Sequence, residues 1–424
     1  MFQTSFLGFR FQRPMSLLAV TASVCGTAVL GGACTVNNVA APAPVDAGPG
    51  TSGADGGTDA PPGSASPLGF VPSNISLSGI DLSMAGDSDI ATLCELSTEP
   101  EPTPGATCLT NAVEAIVTQS DGSKVHLYVV KSLKVEPGGR LTVNRPAGGL
   151  PLVIVSLGDM TILGSIDVHA EGDQAFGGGF QSTQNGQKGA GPGGGPPASG
   201  VAGTTRGAGA GGGSYCGKGG PGAVEAMSTT QAGAPTASYG TSEIIPLVGG
   251  SSGGAGSFGA GAGGGAVQLV AGGQFSLGAG TYINVGGGGG APAVSSNFGD
   301  NSSGGGSGGS ILIEAKGVHI DGILAANGGG GGGVSAAGTN GTPDANPAPG
   351  GAKAGEGAGG AGGAATSING ATPASVDPGP VGGGGGGVGR IRINSVIGAA
   401  VIAASAVLSP PAATACVTQG KVKP

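Results

Sequence analysis

The chain has 424 residues, of which 98 are glycine and only 9% charged, with a net charge of −8, three histidines and no tryptophan. Glycine at about three times its ordinary usage costs about 1 kcal/mol per helical position relative to alanine, which excludes a helical protein. Tracts such as residues 328–333 and 382–387 break the every-third-residue glycine rule of collagen, and the lack of a basic face excludes nucleic-acid binding.

Residues 1–34 read as an export signal. Arg10 and Arg13 precede an uncharged apolar stretch, residues 15–32 (MSLLAVTASVCGTAVLGG), and small residues lead to Cys34. That stretch is too rich in Ala, Ser, Thr and Gly to make a good transmembrane span. Its end, Leu30-Gly31-Gly32-Ala33-Cys34, resembles the lipobox of bacterial lipoproteins, although the family places leucine three residues before the cysteine, where this chain has Gly31. The resemblance implies cleavage before Cys34 and a lipid on its sulfur, which would hold the protein at a membrane without spanning it. The alternative is a plain signal-peptidase cut and an unanchored, secreted protein. Cys25 follows the larger Val24 and fits a lipobox less well.

Residues 35–66 are almost wholly Ala, Pro, Gly, Ser, Thr and Asp beyond Val39. They read as a disordered linker with a reach on the order of 30 Å. From residue 67 the texture changes. Alternating Ile75, Leu77, Ile80 and Leu82 begin a β-rich cap region, 67–150, and Cys94 and Cys108 flank a Pro- and Glu-rich loop. In an exported chain that pair is a disulfide candidate, closing a loop worth about 3 kcal/mol. Short apolar runs follow, among them 125–130 (VHLYVV), 141–143, 152–157 (LVIVSL), 160–163 and 166–168, separated by Gly- and Pro-containing turns.

Residues 151–395 hold four copies of one unit: small, apolar, x, apolar; a glycine turn; apolar, x, apolar; a Gly; a short strand; then polyglycine. They begin at 151, 265, 309 and 389, the last being truncated, and glycine-rich spacers of unequal length separate them. One coil type carrying insertions of different length predicts an all-β fold, a parallel β-helix or solenoid of few rungs with long glycine-rich loops projecting from one corner. In the third copy, Ile311, Ile313, Val318 and Ile320 would face inward, with Glu314 and His319 outward. Glycine tracts bury too little apolar surface to order themselves that way, so they are expected to be mobile or held by backbone hydrogen bonds. Residues 396–424 add a closing strand and a tail. Cys216 and Cys416 have no assigned partners.

The segments GGGSGGSILIEAKGVHIDGILAANGGGGGG and GGGGGGVGRIRINS resemble two groups. One is the glycine-rich, lipobox-bearing surface proteins of myxobacteria-like organisms. The other is the glycine-rich repeat part of mycobacterial PE-PGRS proteins, whose helical PE domain this chain lacks and whose Gly-Gly-x triplets can pack as polyglycine II helices. The resemblance implies a surface-exposed glycine-rich body and no catalytic residues or cofactors.

Chemistry is sparse. No glycine string has the strand–helix context of a dinucleotide site, and the repeating aspartate of calcium-binding glycine nonapeptides is missing. Asp159, Asp167, Glu171 and Asp173 are close in sequence and are the one group that could act as paired carboxylates or hold calcium. Turn and surface roles are the plainer reading. His126, His169 and His319 fall on separate units and read as solvated. The leading expectation is a non-enzymatic cell-envelope or surface lipoprotein, structural or adhesive, at the outer membrane or cell surface. Its partners would be the membrane, through the lipid, and extracellular polysaccharide or neighbouring cells. The alternative is a polysaccharide-binding or polysaccharide-degrading protein using the 159–173 region.

Overall fold

Alternating Val, Ile and Leu become strands wherever Gly or Pro turns separate them. In this computed structural model residues 66–422 are described, apart from 103–107, 110, 145–148, 201–206, 225–231, 294–300, 353–356 and 375–380. All belong to one unit, Pro62–Pro424. The export signal, Cys34 and the linker to residue 65 lie outside the described residues. The first strands are β1 (Asp87–Ile90), β2 (Leu93–Leu96), β3 (Val113–Thr118), β4 (Lys124–Val130), β5 (Ser132–Val135), β6 (Arg140–Val143), β7 (Leu152–Ser156), β8 (Met160–Ile162) and β9 (Ser165–Asp167). Then come β10 (Ser199–Gly200), β11 (Gly207–Ala208), β12 (Ala266–Leu277), β13 (Tyr282–Asn284), β14 (Ser310–Ile320) and β15 (Ile323–Ala325). The last are β16 (Arg390–Ser395), β17 (Val401–Ile402), β18 (Val407–Ser409) and β19 (Val417–Lys421). There is no helix among the described residues.

Eleven strands form one sheet, running β1-β5-β8-β12-β14-β16-β19, with β7, β4 and β3 continuing from β12 and β17 paired to β14. Six form a second, β18-β15-β13-β9-β6-β2. Pairing is parallel throughout both, except where β3 runs antiparallel to β4. The all-β expectation stands, but the parallel β-helix of few rungs with projecting loops does not. The strands lie in two parallel sheets in a strand-only arrangement, and this is no open solenoid.

Two physical causes lie behind the difference. In the second and third units the glycine turn expected in the middle is not a turn. β14 runs unbroken through residues 310–320, and in β12 Gly272 and Gly273 together oppose a single residue, because Ala271 pairs with Ala315 and Gln274 with Gly317. That is a bulge, which bends a strand without ending it.

The second cause is that the glycine tracts are packed inside the molecule instead of projecting from it. Along residues 328–333 the amide donors change direction with a period of three. Gly328 and Gly331 donate to Gly363 and Gly360 at 2.9 and 2.8 Å. Gly329 and Gly332 donate to Gly306 and Ser303, and Gly330 and Gly333 to Thr339 and Ala336. A threefold extended helix with no internal hydrogen bonds presents its amides this way, to three neighbours in turn. Residues 383–388 repeat the pattern, with Gly384 and Gly387 bonded to Ala210 and Gly213. The tracts therefore form a bundle held by backbone hydrogen bonds, and nearly every residue in 302–310 and 326–334 is buried. Only glycine permits that spacing: a Cβ at Gly305 or Gly331 would lie closer than 3.0 Å to the carbonyl oxygens of Gly329 and Gly383.

The apolar core lies between the sheets. Leu269, Ile313 and Ile393 from the large sheet meet Leu141, Ile166, Ile283 and Leu324 from the small one. The opposite face of the large sheet is covered by residues 66–82. Their Leu68, Phe70, Ile75 and Leu77 join one apolar cluster with Leu127 of β4, Val155 of β7, Val270 of β12 and Leu312 of β14.

Candidate functional site

The parallel register builds a polar row on the outer face of the six-stranded sheet. Glu95 pairs with Thr142, Thr142 with Asp167, and Asp167 with Asn284. The next row carries Arg140, Ser165 and Tyr282. Ile166 turns into the core, so Asp167 faces out, yet its side chain is only 5% exposed.

Four donors converge on its carboxylate. Arg140 Nη2 and Tyr282 O–H reach Oδ2 at 2.7 and 3.4 Å; His169 Nδ1 and Asn284 Nδ2 reach Oδ1 at 2.6 and 3.3 Å. Burial pushes the Asp167 carboxyl up, but the hydrogen bond and charge of His169, with Arg140, outweigh it and hold the group below its ordinary 3.8. Arg140, His169, Glu95 and Glu171 line a cavity of about 150 Å³ beside it.

An aspartate orienting a histidine is an arrangement that general-base chemistry uses. Here the cavity falls below the roughly 300 Å³ at which small-molecule pockets begin. The ion cluster ties β6, β9 and β13 together.

The other carboxylates go elsewhere. Asp159 is exposed after β7, where its Oδ1 accepts the Gln274 amide at 2.7 Å and caps the β12 bulge. Asp173 lines a separate cleft of about 520 Å³ with Gln184, Asn185 and Phe258. Of the four carboxylates close in sequence, Glu171 stays by the cavity beside Asp167, whereas Asp159 and Asp173 do not. Among the described residues no group of three or more His, Cys, Asp or Glu could hold a metal ion.

Comparison with protein-family models, with curated proteins and with solved structures finds no significant match.

Several side chains expected in solvent are buried. His126 is fully buried, with Nε2 2.8 Å from Glu114 Oε1 and Nδ1 3.0 Å from the Glu99 carbonyl oxygen, its ring stacked on Tyr128. Glu314 is also fully buried, because residues 66–82 cover its face of β14. Its two oxygens accept four hydrogen bonds: from Ser73 N–H at 2.9 Å, Ser73 O–H at 2.5 Å, Gln268 Nε2 at 2.7 Å and Asn394 Nδ2 at 3.0 Å. Four donors offset the desolvation of one carboxylate. Only His319 matches the solvated reading, exposed beside Asp321.

Cys94 and Cys108 are joined, with Cα atoms 5.5 Å apart. So are Cys216 and Cys416, across 200 residues, which ties the glycine body to β19. Sequence reasoning left that second pair open. The signal was arithmetic: of six cysteines, two lie in the leader and two flank the 94–108 loop, leaving these two. Phe258 was missed as well. Its signal is a single aromatic inside the tract GGAGSFGAGAGGG.

Proposed function

We propose that this chain is a non-enzymatic component of a bacterial cell envelope, exported, lipid-anchored through Cys34 at the outer membrane or cell surface, and structural or adhesive in role. The observation that carries it is the glycine body, a block of backbone hydrogen bonds cross-linked over 200 residues by Cys216–Cys416. Such a block serves as a scaffold with few flexible side chains. Its disulfides also belong to oxidising compartments, which supports export. The lipobox-like end at residues 30–34 and the linker to residue 66 support a tether between membrane and folded body. Polysaccharide degradation draws no support from the dispersed carboxylates, whereas polysaccharide binding needs no such pair.

Radiolabelled palmitate fed to cells making the full chain tests the anchor. The wild type should incorporate label and Cys34→Ala should not. Equal labelling of the two, or label in neither, overturns the anchor. Protease treatment of intact cells then separates surface display, in which the body is cut from the cell, from a periplasmic location.

A further inference from the structure

The cleft that holds Asp173 has a second property. Phe258 lines it and is 44% exposed, the one exposed aromatic side chain among the described residues of a chain with only 3% aromatics. Its backbone is fixed to the glycine body, since its carbonyl oxygen accepts the Ser303 hydroxyl at 2.8 Å. The ring therefore stands on a rigid support. Gln184 and Asn185 line the same cleft, both exposed and without hydrogen-bond partners for their side-chain amides among the described residues. The turn that carries them is pinned by Gly186 N–H donating to the Gly256 carbonyl oxygen at 2.8 Å. Asp173 completes the set. Its Oδ1 takes Gln174 Nε2 at 3.0 Å, while Oδ2 lies close against Gly259, 3.3 Å from where a Cβ there would stand.

We propose that this cleft binds a neutral glycan, with one pyranose ring stacked on Phe258. A sugar ring has an apolar C–H face and a rim of hydroxyls, each both donor and acceptor. The cleft matches both properties: a flat aromatic for the face, two amides and a carboxylate for the rim. Its volume of about 520 Å³ lies within the range of small-ligand sites. The charge sets the class. Asp173 in the cleft and the chain's net charge of −8 disfavour uronic acid or sulfated chains and favour neutral ones. Gly259 keeps the cleft open, since a Cβ there would come within 3.1 Å of the Asp173 Cβ, 3.3 Å of its Oδ2 and 3.4 Å of Ser182 Oγ. This deepens the adhesive part of the surface reading but stands on the cleft alone, so loss of lipid labelling leaves it intact, and its own failure leaves the anchor intact.

The test is native affinity electrophoresis of the detergent-purified full chain in gels containing laminarin, xylan, mannan or dextran, with polygalacturonate as the acidic probe. At least one neutral polymer should retard the wild type, and polygalacturonate should not. Phe258→Ala should weaken that retardation at least tenfold in apparent Kd, and Gly259→Ala and Asp173→Asn at least threefold. Ile397→Ala, which alters an exposed apolar residue elsewhere, should leave it unchanged. Phe258 is exposed, so its alanine variant keeps the fold, which unchanged thermal unfolding would verify. Retardation by none of the neutral polymers, equal retardation of wild type and Phe258→Ala, or stronger binding of polygalacturonate would each overturn the proposal.

Discussion

The two-sheet core and the glycine body are buried to the same degree by opposite means. In the core, Leu269 sits between Ile154 and Ile313 along the ladder, and stability comes from apolar surface removed from water. In the body there is almost no side chain to bury. Order comes from amides that each find a carbonyl on a neighbouring tract at about 2.9 Å, as Gly329 finds Gly306. A hydrogen bond contributes only about 1 kcal/mol net, but an unmade one inside the body costs more, so all must form together. The core tolerates exchange of one apolar side chain for another of like volume. The body accepts small side chains at certain places, such as Ser303 and Ala262, but none at positions like Gly331, where a neighbouring carbonyl fills the space.

That contrast can be broken at several points. The largest effect is expected from the cross-link. Cys216→Ser opens a 200-residue loop, which the chain-entropy model values at about 5 kcal/mol, and equilibrium urea unfolding under non-reducing conditions should show the loss. A drop of under about 1 kcal/mol would mean that the body holds itself without the disulfide.

Next comes a pair of opposite substitutions. Leu269→Ala removes atoms from the core and should cost about 2–5 kcal/mol. Gly331→Ala adds one atom, against the Gly383 carbonyl oxygen, and should cost about 1–3 kcal/mol or more. Thermal unfolding of both variants checks this, and a neutral Gly331→Ala would show the tracts to be looser than packed helices.

The smallest effect concerns the ion cluster on the six-stranded sheet. The Asp167 carboxyl is held below 3.8, so it contributes stability that is fully present above that pH and is lost as pH falls through its lowered folded-state value. Asp167→Asn should flatten the acid limb of a stability–pH curve below about pH 4 without altering its slope near neutrality. An unchanged acid limb would show that His169 and Arg140 do not hold the charge in the folded state.

Much of this was legible beforehand and some was not. Alternation in the third unit placed Ile311, Ile313, Val318 and Ile320 on one face, and they share the core. The same alternation put Glu314 in solvent. A strand has two faces, and its local pattern does not say what lies over the second one. That was decided by residues 66–82, more than 200 positions away, whose Ser73 reaches the carboxylate. His126 was misread for a related reason: Glu114 and the Glu99 carbonyl reach it from other segments of the cap. The four carboxylates from 159 to 173 illustrate the reverse. They are neighbours in the chain, but a turn, a strand and a glycine-rich exit send them to three different places.

What the amino-acid sequence determined by itself was the local alphabet: short β-forming runs, glycine tracts that exclude helix, and the Cys94–Cys108 loop. Those follow from the propensity and spacing of nearby residues. Tertiary structure alone decided that the strands gather into two parallel sheets, that the glycine tracts pack with a three-residue hydrogen-bond period, and that Phe258 stands beside Asp173. Each of these depends on which distant backbone comes within about 3 Å of another, and glycine, having no side chain, carries no local mark of its neighbour.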